Sequence, residues 1–313
     1  MSKQNVGGQA LIEGVMMKSE KAKSIAIRKQ DDSILVTSED IKSSKYSKLK
    51  KIPFLRGMFV LVESMVEGTK DINYAASFYA EDDSDEVDLF EKIMVKLFKD
   101  KAEKAATMIS VIFAFAIAIG LFIVLPAFLV KGSNEDATMF SSLKEGLIKI
   151  SFFVAYIYII SFMNDIKRVF QYHGAEHKTI FAYEAGLPLE VANVRGFTTL
   201  HPRCGTNFLM IVMIISMFVF TFLGWPNLLE RILSRIILMP VIAGISYEII
   251  RYAGTHIEHN WVRTAILPGL YLQKLTTREP DDSQIEVAIA ALKAVLPEEE
   301  PALVAAEVSL GEE

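Results

Sequence analysis

The segment TMISVIFAFAIAIGLFIVLPAFLV, residues 107–130, contains no charged side chain. A helix that crosses a bilayer needs about 20 mostly apolar residues, so this segment predicts a transmembrane helix. Three further apolar runs have a suitable length, at residues 147–163, 208–225 and 232–252. Charged residues interrupt two of these runs, among them Lys149, Arg235 and Glu248. The sequence therefore predicts a mainly α polytopic membrane protein with about four transmembrane helices.

The composition agrees with this fold class. The chain of 313 residues is 51% hydrophobic and 23% charged, with a mean hydropathy of +0.31. Four helices buried in a water-soluble core are the alternative, but such a core rarely needs runs this long without charge. The formal net charge of -5 gives no support to nucleic-acid binding.

The basic residues predict an orientation in the membrane. Five lysines lie between residues 92 and 104, and the loop between the second and third runs is also basic, whereas the other two loops are poor in positive charge. Cytoplasmic loops carry the excess of Lys and Arg. The first twenty residues lack the apolar region of a signal peptide. We expect a multi-pass protein of the plasma (inner) membrane with both termini cytoplasmic.

Five regions organise the chain. They are a β-containing cytoplasmic element at 1–52, an amphipathic helix with a charged linker at 53–106, a transmembrane core at 107–252 whose cytoplasmic loop is 164–207, a C-terminal cytoplasmic helical region at 253–296, and an acidic disordered tail at 297–313.

Local sequence patterns support this division into five regions. Short strands are expected at 24–29 and 34–37, which with the glycine-rich segment before them give a small N-terminal α+β element. Amphipathic helices are expected at 54–78 and 283–296. The apolar stripe of the last helix predicts a partner surface on a cytoplasmic protein, and the apolar runs predict the lipid bilayer as the other partner.

The sequence HGAEH, residues 173–177, is the strongest chemical motif. Two imidazoles four residues apart share one helix face and can bind one metal ion, most simply zinc. Glu176 lies close enough to accept a proton from water that the ion activates. This is the spacing of the inverted zinc-protease signature H-x-x-E-H. The alternative is that both imidazoles pack in a protein groove and hydrogen-bond to backbone groups.

A zinc site needs a third ligand, and three residues compete for that role. Glu248 is an ionisable side chain within an apolar run, which is usually functional, although pairing with Arg251 explains it equally well. Cys204 is the only cysteine, and its thiolate can ligate zinc. His201 lies three residues earlier and can join it. The alternative for the loop is a structural turn with a buried thiol.

Five motifs in order resemble the YqhQ-like bacterial membrane proteins, a family of unknown function often labelled as predicted metal-dependent enzymes. They are GGQALIEGVMM, PFLRGMFVLVES, FQYHGAEHKTIFAYEAG, LHPRCGTNFL and PGLYLQKLTTREPDDSQIEVAIAALKAVL. The resemblance covers almost the whole chain. It implies an integral membrane protein with a metal site on His173, Glu176 and His177, and no established substrate.

The sequence predicts metal-assisted hydrolysis at the cytoplasmic membrane face. His173 and His177 bind zinc, Glu248 or the His201 and Cys204 loop completes the site, and Glu176 is the base. A peptide or amide substrate rests on motif analogy alone. The rival prediction is a non-catalytic membrane scaffold or assembly factor, in which the histidines hold a structural metal or a hydrogen-bonded corner.

Overall fold

The computed structural model of the chain describes residues 4–41, 52–79, 102–131, 139–223 and 228–297. Four strands come first, namely β1 Gly7–Leu11, β2 Gly14–Lys18, β3 Ala22–Arg28 and β4 Ile34–Asp40. The α-helices within these ranges are α1 Leu55–Ala76, α2 Ala102–Ile119, α3 Leu125–Lys131, α4 Met139–Ile160, α5 Asn164–Ala185, α6 Val191–Arg195, α7 Gly205–Phe222, α8 Leu228–Thr255, α9 Asn260–Thr276 and α10 Asp282–Lys293, with a π-helical turn at Gly120–Val124. The predicted acidic linker after residue 80 and the predicted tail beyond residue 297 lie outside the described residues.

The N-terminal strands form an antiparallel sheet in the order β1-β2-β3-β4. Both of its faces are covered. Val15 and Met17 pack in a core with α5 and α10, while Leu11 and Ile27 pack on the other face near the end of α1. The predicted β element is confirmed. Sequence patterns did not resolve β1 and β2 as strands, because glycine has a low strand propensity and packing on both faces fixes the segment instead.

Helix α1 has nearly the predicted bounds and lies between the sheet and α8. At its end, Ala75 packs in the core with Leu11 and Ile27. At its start, the Arg56 guanidinium forms an ion pair with Glu248 of α8. Helix α1 therefore connects the small sheet to the apolar helices.

Helices form at all four predicted apolar runs. Among the described residues, α7 and residues 233–255 of α8 are each long and apolar enough to cross a membrane. Helix α4 meets the same test only together with α5, to which it is bent by 102°. Two spans, or up to three, are therefore supported by length and composition.

Helix α5 and helix α10 pack together beneath the sheet. Helix α5 ends where the sequence predicts, because Gly186 adopts the left-handed conformation with φ of 76° and caps it. Asp281 caps α10 through a capping box with Gln284. The predicted apolar stripe of α10 is buried against the chain's own sheet and α5. The protein partner expected for this stripe stays a prediction, and packing within the chain already explains the pattern.

Helix α9 precedes α10, and sequence patterns did not predict it as a helix. Pro268 lies within it, and proline in a helix interior removes a hydrogen bond. Contacts with α7 offset this cost: Ile266 and Val262 pack in one core with Ile211. Residues 277–281, which we call the strap, then lead from α9 back across α5 to α10.

Candidate metal centre

Helix α5 places the three ionisable residues of the HGAEH motif toward the interior. Glu176 and His177 are buried and His173 is half-buried. The His173 and His177 rings lie side by side, with centroids 4.4 Å apart. The predicted shared helix face is therefore present.

Gly174, between the histidines, lets the strap cross α5 at very short range. A Cβ atom at this position would lie 2.1 Å from the Arg278 carbonyl oxygen. The Arg278 N–H in turn donates to the Phe170 carbonyl oxygen over 2.8 Å. No residue other than glycine fits here without displacing the strap.

Backbone carbonyl oxygens orient both imidazoles. Nδ1 of His173 lies 2.8 Å from the Thr276 oxygen, and Nδ1 of His177 lies 2.5 Å from the Thr199 oxygen. Since carbonyl oxygens only accept, we assign the ring proton to Nδ1 in each case. Nε2 is then left with its lone pair, as in metal-binding histidines.

Cys204 completes a group of three ligands. One ligand atom each from His173, His177 and Cys204 lies within 4.8 Å of the others, and Nε2 of His173 is 3.2 Å from the Cys204 sulfur. A tetrahedral zinc ion with ordinary bond lengths separates nitrogen from sulfur by roughly 3.5 Å. The separation of His173 and Cys204 is therefore close to that of two ligands of one zinc ion.

The electrostatics of the thiol favour ligation. Burial raises the pKa of the Cys204 thiol, but its interaction with the His177 ring and its hydrogen bonds with Thr206 together outweigh burial, so the pKa is lowered overall. The thiolate is the form that binds metals. Cys204 is also the N-cap of α7, where its sulfur accepts from the Thr206 N–H.

Glu176 lies between the three candidate ligands and the sheet. Burial raises the pKa of its carboxyl to about 8. A Cβ atom on Gly8 of β1 would lie 2.8 Å from Cγ of Glu176. The first strand therefore passes directly over this carboxylate.

His201 lies beside the group without belonging to it. Its ring centroid is 5.4 Å from that of His177, and its Nδ1 accepts the Arg203 N–H. Burial lowers the pKa of His201 to about 4, so the ring is neutral. The structure brings His201 to the wall of the site.

Glu248 lies elsewhere. Its carboxylate pairs with the Arg56 guanidinium and accepts the Phe54 N–H. Of the three residues that competed for the role of third ligand, the structure brings Cys204 to the histidines and leaves Glu248 at the start of α1. Arg251, the alternative partner predicted for Glu248, also lines the cavity next to the site.

A cavity of about 700 Å³ opens beside the three ligands. Its walls come from residues 5–10, from α5, from the loop before α7 and from the last turns of α8. Glu176 and the three ligands all face it. A site for a small molecule or a short chain segment commonly has this size.

A family model described as a protein of unknown function (DUF1385) matches residues 52–298. The chain belongs to this family. It is also 36% identical over 312 residues to the uncharacterized protein YqhQ of Bacillus subtilis (strain 168), with 95% of each chain covered. The resemblance predicted from the five motifs is confirmed. No solved structure matches the chain.

Several groups at the site of this DUF1385 protein are not predicted by its sequence patterns. Two backbone carbonyl oxygens, of Thr199 and Thr276, orient the rings. Because every residue has a carbonyl group, a motif of side chains cannot predict which ones do so. Gly8 lies in the glycine-rich motif at the N-terminus, and only the fold brings it to Glu176. Lys178 is buried and pairs with Glu279 of the strap; a buried lysine needs such a partner, but its burial is visible only in the fold.

Proposed function

We propose that this DUF1385 protein is a zinc-dependent hydrolase of amide or peptide bonds. The observation that carries the proposal is the convergence of His173, His177 and Cys204 from two chain segments, with Glu176 beside them and a cavity in front. Three protein ligands leave one zinc position open, which is typical of catalytic sites.

Zinc, when bound, supplies Lewis acidity that polarises a carbonyl and makes water easier to deprotonate. Its positive charge also favours the ionised form of a neighbouring carboxyl group. Water oxygen then forms a bond to the amide carbon, and the carbon–nitrogen bond breaks. Glu176 accepts the proton that water loses and donates it to the leaving nitrogen, so the products are an acid and an amine.

The same proposal includes the membrane. We infer a multi-pass protein of the plasma membrane, with four spans and cytoplasmic termini. Large exposed apolar side chains on α3, α7 and α8 support it, among them Phe128, Phe222 and Ile237, because exposed apolar patches mark membrane or protein contacts. Cys204 precedes α7 and Thr255 ends α8, so the site lies at one end of both helices. A C-terminal green fluorescent protein fusion that fails to fluoresce would contradict a cytoplasmic C-terminus.

The catalytic claim is tested with detergent-purified protein loaded with zinc. A library of acetylated and amidated random decapeptides is incubated in water enriched in oxygen-18, and mass spectrometry detects the isotope in new carboxyl groups. We expect incorporation by the wild type and at least a 100-fold loss in Glu176→Gln, since a positioned base contributes 10²–10⁴-fold. Glu190→Gln, an exposed carboxylate at the start of α6, is the matched control and should retain activity. Equal activity of Glu176→Gln and wild type contradicts the mechanism.

A scaffold with a structural metal is the second candidate. The observation that favours it is that the ligands already join separate elements, because Nδ1 of His173 bonds to the end of α9 and Cys204 begins α7. A metal at this point would fix α5 to α7 and α9. Unchanged cellular function of Glu176→Gln with metal still bound would favour this candidate over the hydrolase.

A further inference from the structure

The outer side of β1 is an open strand edge. In the sheet order β1-β2-β3-β4, β1 pairs only with β2. Within the described residues, no hydrogen bond from outside the sheet reaches the backbone of Gly7–Leu11. An unpaired edge is a row of N–H and C=O groups that can pair with another chain.

This edge borders the candidate catalytic group. Gly8 is in direct contact with the Glu176 side chain, at the distance that leaves no room for a Cβ atom. Asn5, Gly7 and Ala10 line the same cavity as His173 and Cys204. A segment added along β1 therefore brings its backbone past the metal ligands.

The open space continues beyond the first cavity. A second cavity of about 360 Å³ shares Asn5, Gly7 and Gly8 with it and extends to Lys18 and Ser64. A Cβ atom on Gly7 would have nothing within 4 Å. The start of β1 therefore borders open space in both cavities. A second chain can run along this edge only if such space is present.

We propose that the substrate is an extended polypeptide that binds by adding a strand to the open edge of β1. The proposal rests on the hydrolase function proposed above and names its substrate class. Alternating N–H and C=O groups at strand spacing are matched by a peptide backbone and by neither a lipid nor a sugar. Backbone pairing holds the chain extended, while Glu176 and the ligands of α5 act on the amide bond that crosses the cavity.

Hydrogen–deuterium exchange on the Glu176→Gln full-length protein in detergent tests this proposal, because binding is then observed without turnover. The probe is the acetylated and amidated random decapeptide library. The matched probe is the same library with every second backbone nitrogen methylated, which removes donors for strand pairing. Strand β4 Ile34–Asp40, the opposite edge of the sheet, is the internal control. A third arm uses phosphatidylglycerol vesicles without peptide.

We expect the unmodified library to slow exchange in Gly7–Leu11 by at least tenfold, with no change in β4 and none with the methylated library. Equal protection of both edges, or no protection at β1, overturns the proposal. Protection of β1 by vesicles alone also overturns it and assigns the edge to lipid.

The isotope experiment on the wild type separates this proposal from the hydrolase. Protection of β1 without oxygen-18 incorporation supports strand addition and contradicts hydrolysis. Incorporation without protection of β1 supports hydrolysis and overturns strand addition.

Discussion

Replacing Gly174 with alanine is the sharpest structural test of the site. The added Cβ atom would lie 2.1 Å from the Arg278 carbonyl oxygen and 3.2 Å from Cγ2 of Thr199. An ordinary contact begins at 3.4 Å, so the strap has to move by more than 1 Å. That movement strains two hydrogen bonds, from the Arg278 N–H to Phe170 and from Nδ1 of His173 to Thr276.

The expected cost follows from these contacts. Overpacking in a tight interior costs about 1–3 kcal/mol, and each weakened hydrogen bond adds about 1 kcal/mol. Alanine in a helix interior is more stabilising than glycine by about 1 kcal/mol, which offsets part of this cost. We expect Gly174→Ala to lower the free energy of unfolding by roughly 2–4 kcal/mol and to weaken zinc binding about 10- to 100-fold, because His173 loses its orienting carbonyl.

Thermal unfolding in detergent and competition with a zinc chelator measure the two effects. The matched control is Gly196→Ala, where a Cβ atom would have nothing within 4 Å; it should match the wild type in both assays. If the strap did not cross at Gly174, alanine would stabilise the helix. A Gly174→Ala protein that is more stable than wild type and binds zinc normally refutes the geometry.

Three further outcomes follow from the fold and the site. Glu248→Gln should leave the zinc content unchanged, because that carboxylate pairs with Arg56; loss of zinc, measured by elemental analysis, would mean that Glu248 is a ligand. Leu292→Ala should cost about 2–5 kcal/mol of stability, because Leu292 is fully buried, and a thermal midpoint equal to wild type would count against the packing of α10. Burial lowers the pKa of His201 to about 4, below the value of roughly 6.5 for an exposed ring, so the unfolded chain binds this proton first and metal-free stability should fall as pH drops from about 6.5 to 4. His201→Gln should reduce that slope in unfolding measured across this pH range, and an identical slope would contradict the assignment.

The features that sequence patterns predicted correctly are determined by residues close to one another in the chain. The end of α5 at Gly186 and the amphipathic stripe of α10 are local signals, and both lie where expected. The HGAEH spacing likewise brings its side chains to one helix face without help from the rest of the fold.

The third ligand could not be chosen from the sequence, because the choice depends on contacts between distant residues. The sequence places both Cys204 and Glu248 near the predicted cytoplasmic end of an apolar helix, so position along the chain does not distinguish them. What separates them is Arg56, which reaches Glu248 from 192 positions earlier in the chain. For the same reason, sequence patterns could not predict that β1 lies over Glu176 or that the stripe of α10 packs against the sheet.

Zinc content per chain is the measurement that tests the central claim most directly. The protein is purified in detergent without chelators, resupplied with zinc, freed of excess ions and analysed by elemental mass spectrometry. We expect about one zinc per chain in the wild type and in His259→Ala, an exposed histidine outside the site. His173→Ala, His177→Ala and Cys204→Ala should each lose it while their unfolding remains cooperative. A wild type without stoichiometric zinc, or full zinc retention in the His177→Ala protein, would contradict a metal centre on α5.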